Sequence, residues 1–150
     1  MAQFGTDAGS AVRHGAVGVG LRNVGSYQIS GHPYVTGSVL YAGEEKKVSF
    51  PLVTKSVTVI NSGSATGVAS PSLRVHFAST GSTDDVFGSR HYIEFNSIED
   101  SFEFDVKCKE IYISAAGDAA GGFQLYASLT SIPTGSMYIL TGSGITDPGP

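Results

Sequence analysis

Short segments of alternating apolar and polar residues recur along this 150-residue chain and leave it little choice of fold. In 72–78, Leu73, Val75 and Phe77 would face one way, Arg74 and His76 the other. Phe102, Phe104 and Val106 repeat the spacing, as do Phe123, Leu125, Ala127 and Leu129. Neighbouring side chains of a strand point to opposite faces, so each segment has one oily face. That face must be buried against a second layer. Glycine, 20 of 150 residues, stands at about 13%, nearly twice its ordinary ~7%. It penalises helices and supplies turns, which again favours a β protein rich in loops.

Candidate strands are 34–42, 46–50, 55–61, 72–78, 90–95, 101–114, 122–130 and 136–141. Between them lie turn-formers such as Ala42-Gly43-Glu44-Glu45 and the glycine-bounded stretches 81–88 and 117–122. Eight short strands so punctuated predict an all-β, single-domain sandwich of jelly-roll type over 26–150. A chain of this size can bury about 70% of its unfolded surface and needs no staples. Residues 1–25 hold six glycines and few large apolar side chains, and Arg13, His14 and Arg22 face only Asp7 in charge. This segment is expected to be an extended arm, flexible alone or ordered by a neighbouring subunit. Within 101–114 the apolar phase switches from even positions to odd at Ile111 and Ile113 with no turn-former between. A β-bulge at 107–110 would restore the phase, a turn at Lys107-Cys108 being the alternative.

Composition removes several classes of function. The net charge is −4, the nine cations are scattered, and the only basic doublet is Lys46-Lys47, so phosphate neutralisation by a basic patch is not expected and neither is nucleic-acid binding. No apolar run approaches the roughly 20 residues of a membrane helix. The start, Met1-Ala2-Gln3-Phe4-Gly5, does not read as a secretory signal, so synthesis in a cytoplasm is expected. One cysteine, Cys108, excludes an internal disulfide, and its phase with Phe102, Phe104 and Val106 marks it as a small buried hydrophobe.

The chemistry-bearing residues form no recognised constellation. His14, His32, His76 and His91 show no metal-ligand spacing, and no cofactor or metal is expected. Gly63-Ser64-Ala65-Thr66-Gly67 has its serine one position too early for a nucleophile elbow. Gly18-x-Gly20 lacks the third glycine and the preceding strand of a dinucleotide loop. Eight acids against three cations between 84 and 110 give a local balance of −5. Glu103 and Asp105 on one strand face are the candidate pair for glycoside cleavage, although such runs usually form a solvated or edge-guarding face. No catalytic residues are expected. The seven tyrosines carry more information, since outward tyrosines offer rigid amphipathic contact area. Tyr112 and Tyr126 alternate with core positions and, together with Arg13, His14 and Arg22, are the candidate subunit-contact residues.

Two segments, Leu21-Arg22-Asn23-Val24-Gly25-Ser26-Tyr27-Gln28-Ile29-Ser30-Gly31-His32-Pro33-Tyr34 and Met137-Tyr138-Ile139-Leu140-Thr141-Gly142-Ser143-Gly144-Ile145-Thr146, give the chain its likeness, supported by 107–114 and 122–130. It resembles small virion structural proteins of tailed bacteriophages, notably marine and cyanobacterial ones. The resemblance implies a sandwich or jelly roll that decorates or cements a capsid, with the major capsid protein and further copies of itself, commonly a trimer, as partners. It implies residence in the virion and no catalytic residues. The alternative is a carbohydrate- or receptor-binding module of a phage tail or fibre, marked by a shallow groove with two tyrosines, such as Tyr92 and Tyr112, beside Asp or Asn.

Overall fold

Alternation becomes pairing in the computed structural model, which describes residues 19–28, 30–63, 72–81, 86–116 and 120–144. A single helical turn, α1 (Gly25–Gln28), leads into strands β1 (His32–Leu40), β2 (Glu45–Ser49), β3 (Leu52–Asn61) and β4 (Ser72–His76). Strands β5 (Ile93–Phe95), β6 (Ser101–Phe104), β7 (Glu110–Ala116) and β8 (Gly121–Pro133) follow, then a 3-10 turn at Thr134–Ser136. Of the arm expected over 1–25, Arg13 and His14 lie outside the described residues, and 19–25 forms turns that enter α1.

The strands form two antiparallel sheets, ordered β1-β8-β3-β6 and β2-β7-β4-β5. Strand β1 pairs with β8, β2 with β7, β3 with β6 and β4 with β5, the pairing of one long hairpin rolled upon itself. The contacts β3·β8 and β4·β7 complete the roll. This order is that of a jelly roll, and the sandwich expected from the alternation is the fold observed.

Between the sheets lie Leu40, Val57, Val59, Leu73, Val75, Ile111, Ile113, Phe123, Leu125, Ala127 and Cys108, all buried in one cluster. Each large aliphatic side chain there stabilises the fold by about 1.5–3 kcal/mol relative to exposure. Phe102 shares the inward row of Val59 and Leu125, yet at the sheet's edge it is exposed and leans on Phe104 with centroids 4.7 Å apart.

The sequence expectation fails in three places. Residues 101–114 are two strands, β6 and β7, in different sheets, so the phase switch marks a crossover at 105–109 and not a bulge. Residues 136–141 form no strand, because β8 runs on to Pro133 and the 3-10 turn ends it. The segment 90–95 pairs only over Ile93–Phe95, which leaves His91 in the preceding loop. The register shifts instead inside β3, where Lys55 is the extra residue between the pairs Thr54↔Leu129 and Ser56↔Ser128.

Thr54 anchors the crossover. Its hydroxyl donates to the Val106 carbonyl at 2.7 Å and accepts from the Cys108 N–H at 3.0 Å, while its own N–H reaches the Cys108 carbonyl at 3.0 Å. Cys108 beside it is fully buried, and burial pushes its thiol up to about 11, against its hydrogen bond with the Thr54 hydroxyl. No helix among the described residues is long and apolar enough to cross a membrane.

Replacing Thr54 by valine keeps the shape and takes their partner from the buried Cys108 N–H and the part-buried Val106 carbonyl. Thr54→Val is expected to lower unfolding stability by about 2–4 kcal/mol in urea titration with an unchanged slope. A loss below about 0.5 kcal/mol would show that the crossover is held by packing alone.

Candidate functional site

The two outer faces of the sandwich are built from different chemistry. On the β1-β8-β3-β6 sheet, register places Val35, Tyr126, Thr58 and Glu103 in one outward row. The next row is Gly37, Gln124, Ile60 and Ser101. Across β1, β8 and β3 these outward positions carry no charge, and Glu103 stands only on the edge strand. Val35 is 75% exposed and Tyr126 45%. Gly37 in the next row lines a shallow depression beside them, and a Cβ there would come within 2.8 Å of the Phe123 carbonyl oxygen. Strand β1, nine residues without an acid or a lysine, forms the margin of this sheet and pairs only with β8 among the described residues.

The opposite face is charged and closed. Its outward rows are Lys47, Tyr112 and His76, then Glu45, Ser114, Arg74 and Glu94. Lys47 pairs with Glu110 at 2.7 Å, and Arg74 with Glu94 at 2.9 Å. The loop after β4 folds over these rows. Ser79 Oγ–H and the Thr80 N–H both donate to Glu45 at 3.0 Å, and the Arg74 guanidinium lies 4.6 Å from the Tyr92 ring centre and 5.1 Å from that of Phe87.

His76 is thereby fully buried on what alternation marks as the outer side. Its Nδ1 is 2.7 Å from the Ala78 carbonyl, which can only accept, so Nδ1 carries the proton and Nε2 accepts from Ser114 Oγ–H. Glu45 stands 3.9 Å from Nε2. A serine, a histidine and a glutamate are thus neighbours, but Ser114 and His76 are sealed from solvent and act as a structural polar cluster. Burial holds the imidazole below its ordinary value, against the Ala78 carbonyl and Glu45 and with Arg74.

Tyr112 and Tyr126 therefore sit on opposite outer faces and cannot share one contact surface. Tyr112 stacks on His76 with centroids 6.0 Å apart, lies under the Lys47 ammonium at 5.9 Å and donates to Glu110. Burial first, and Glu110 second, push its phenol up. Arg22 is exposed in the turn before α1, beside a depression lined by Val19, Val24 and Ser136. Tyr92 packs against Phe87 and Arg74, so Tyr92 and Tyr112 do not form the groove expected of a sugar binder. The acids of 84–110 are dispersed: Glu94 and Glu110 pair with cations, and Asp100 accepts the Asn96 and Ser97 N–H groups. Glu103 lies on the uncharged sheet's edge, and Asp105 beyond the end of β6. Asp84 and Asp85 lie outside the described residues. Among the described residues no cluster of three or more His, Cys, Asp or Glu side chains suits a metal ion.

A groove with the expected chemistry does exist, from other tyrosines. Beside the crossover, Tyr27, Tyr138, Lys55, Lys107, Asp105 and Phe77 line a cavity of about 540 Å³, within the ordinary range for small-ligand sites. Tyr27 donates to the Leu21 carbonyl at 3.1 Å and lies 5.5 Å from the Lys107 ammonium. Burial, with Tyr138 nearby, pushes the Tyr27 phenol up. The extra residue in β3 is Lys55, and bulges commonly re-aim a side chain in this way. Sequence reasoning missed this groove because its members come from 27, 55, 77, 105–107 and 138–144, with no spacing to join them.

Strand order and groove together define a jelly-roll domain, with eight strands among the described residues and a small polar-aromatic cleft on one flank. The chain matches no protein-family model and no curated protein sequence. Solved structures of similar shape include the SPBc2 prophage-derived protein YomS, at TM-score 0.44 and 11% identity over 66% of this chain and 96% of that one. A de novo designed double-stranded β-helix gives 0.37 and 16%, over 63% and 99%. The Yersinia pseudotuberculosis-derived mitogen gives 0.39 and 9%, over 67% and 88%. At these scores the likenesses bear on neither ancestry nor function, and the fold rests on strand order.

His76 generates a pH dependence. An imidazole whose value is lowered by folding takes up a proton more readily in the unfolded chain, so its stabilising effect is complete above the unfolded value of about 6.5. That effect is lost as pH falls from there through the folded value. His76→Gln, which can keep an amide hydrogen bond at the site, is expected to flatten the fall in melting temperature on acidification. An unchanged slope in the variant would assign the acid sensitivity to other groups.

Proposed function

We propose that this protein is a structural component of a bacteriophage virion, a decoration or cement protein that stabilises the shell through contacts between subunits. The single observation that supports this is the uncharged outer face of β1, β8 and β3, continuous with the open edge of β1. Strand β1 is a long edge strand that carries no acid or lysine of its own, with Pro33 and the Lys46 ammonium bonded to Ser38 as its guards. Such an edge is a template for pairing with another strand, and an apolar-studded face beside it offers dry contact area. The occupant is a second copy of this chain, because the uncharged β1 edge of one copy can meet the uncharged face of the next without leaving a charge buried, which would cost several kcal/mol. Such a head-to-tail contact can close into a ring. Copies associate around a local symmetry axis, as trimers in this proposal, and the assembled unit seats on the major capsid protein. Repetition over a lattice multiplies modest contacts. The closed, charged face around His76 and Tyr112 is turned away from the contact.

A second reading, a carbohydrate- or receptor-binding module of a tail or fibre, has one observation in its favour: the Tyr27–Tyr138 groove with Asp105 beside it.

Val35 tests the first reading, since it is exposed and its replacement disturbs no core contact. Wild-type protein is expected to sediment as a multimer, and Val35→Glu as a folded monomer that no longer accompanies purified particles. A wild-type chain that stays monomeric at all concentrations and is absent from intact virions in electron microscopy would overturn the proposal.

A further inference from the structure

We infer that the groove between Tyr27 and Tyr138 binds a saccharide that carries a carboxylate. This rests on the second reading above and deepens it by naming the class of sugar.

Three groups in the groove lack partners among the described residues. Lys55, Asp105 and the Tyr138 hydroxyl make no hydrogen bond or ion pair there, although Lys55 and Asp105 line the same cavity and carry opposite charges. Lys107 is held against the wall by its bond to the Leu21 carbonyl at 3.2 Å and by the Tyr27 ring, and two of its three N–H donors remain. Two ammonium groups against one carboxylate make the groove cationic in a chain of net charge −4. The register shift in β3 presents Lys55 as an extra residue at this point, while the neighbouring outward positions of the strand, Ser56, Thr58 and Ile60, are uncharged.

Each group matches one part of an acidic sugar. The lysines donate to the carboxylate, and a hydrogen bond to a charged group is roughly twice as strong as a neutral one. Asp105 accepts from ring hydroxyls, which an acidic peptide of glutamates does not offer. Tyr27 and Tyr138 supply flat, amphipathic surface for the apolar face of a sugar ring.

Digalacturonate, its dimethyl ester and tetraglutamate separate the possibilities in titration calorimetry with the full chain. Digalacturonate is expected to bind, and the ester, which keeps the rings and loses the charge, to bind about tenfold more weakly or not at all. Lys55→Gln is expected to weaken digalacturonate by about three- to tenfold and to leave the ester unaffected, and Tyr138→Ala to weaken both. Lys47→Gln, the same charge change on the outer face of the β2-β7-β4-β5 sheet and outside the groove, should alter neither, which separates local contact from net charge. Equal binding of acid and ester would overturn the inference and leave the carbohydrate reading standing. Tetraglutamate binding as well as digalacturonate would overturn it in favour of an acidic peptide. No binding of any probe by the folded chain would overturn both the inference and the carbohydrate reading.

Discussion

Ile111 and Ile113 of β7 and Leu125 and Ala127 of β8 share one buried cluster between the sheets, and the remaining structure depends on that contact. These two strands are interior in their respective sheets, and each is flanked by a strand that meets it earlier in the chain. A strand with one oily face cannot satisfy it alone. With every strand of this kind, the chain has to roll so that β1 and β8, then β2 and β7, lie beside each other. Thr54 matters because it fixes the place where the chain leaves one sheet for the other, and there the backbone has no ladder to take its hydrogen bonds.

Once the inner faces are spent, the outer faces differ because the residues between the core positions differ. Outward positions of β1, β8 and β3 are uncharged, among them Val35, Gly37, Ile60, Thr58, Gln124 and Tyr126, which leave the surface open. Those of β2, β4 and β7 include Glu45, Lys47, Arg74, His76 and Glu110, which hold each other and the loop that covers them. The buried His76 follows from that cover. A neutral imidazole with both nitrogens engaged is tolerated in a dry site because the Ala78 carbonyl and the Ser114 hydroxyl supply its two partners.

The groove lies where regular pairing fails. Lys55 is an added residue in a ladder, Asp105 and Lys107 belong to the crossover, and Tyr138 follows the end of β8. Irregular backbone is exempt from the alternation that sends side chains into the core or flat onto a sheet face. Polar and aromatic groups from distant segments can therefore converge at such a place.

Period-two alternation and turn chemistry in the sequence determined the fold class and the outward setting of Tyr126, because strand geometry turns spacing directly into facing. Cys108 is buried as expected, but in the crossover that Thr54 anchors and not in a strand. The same rule placed His76 on the outward side, where a loop closes over it and buries it, and it misread the phase switch at 107–110, which is a change of sheet with the same local signature as a bulge. Only the tertiary structure decided which strands are neighbours, that Tyr112 and Tyr126 face opposite ways, and that Tyr27, Lys55, Asp105, Lys107 and Tyr138 share one cleft. Those are relations between segments as distant in the chain as Tyr27 and Tyr138, set by the roll of the whole chain, and no local spacing encodes them.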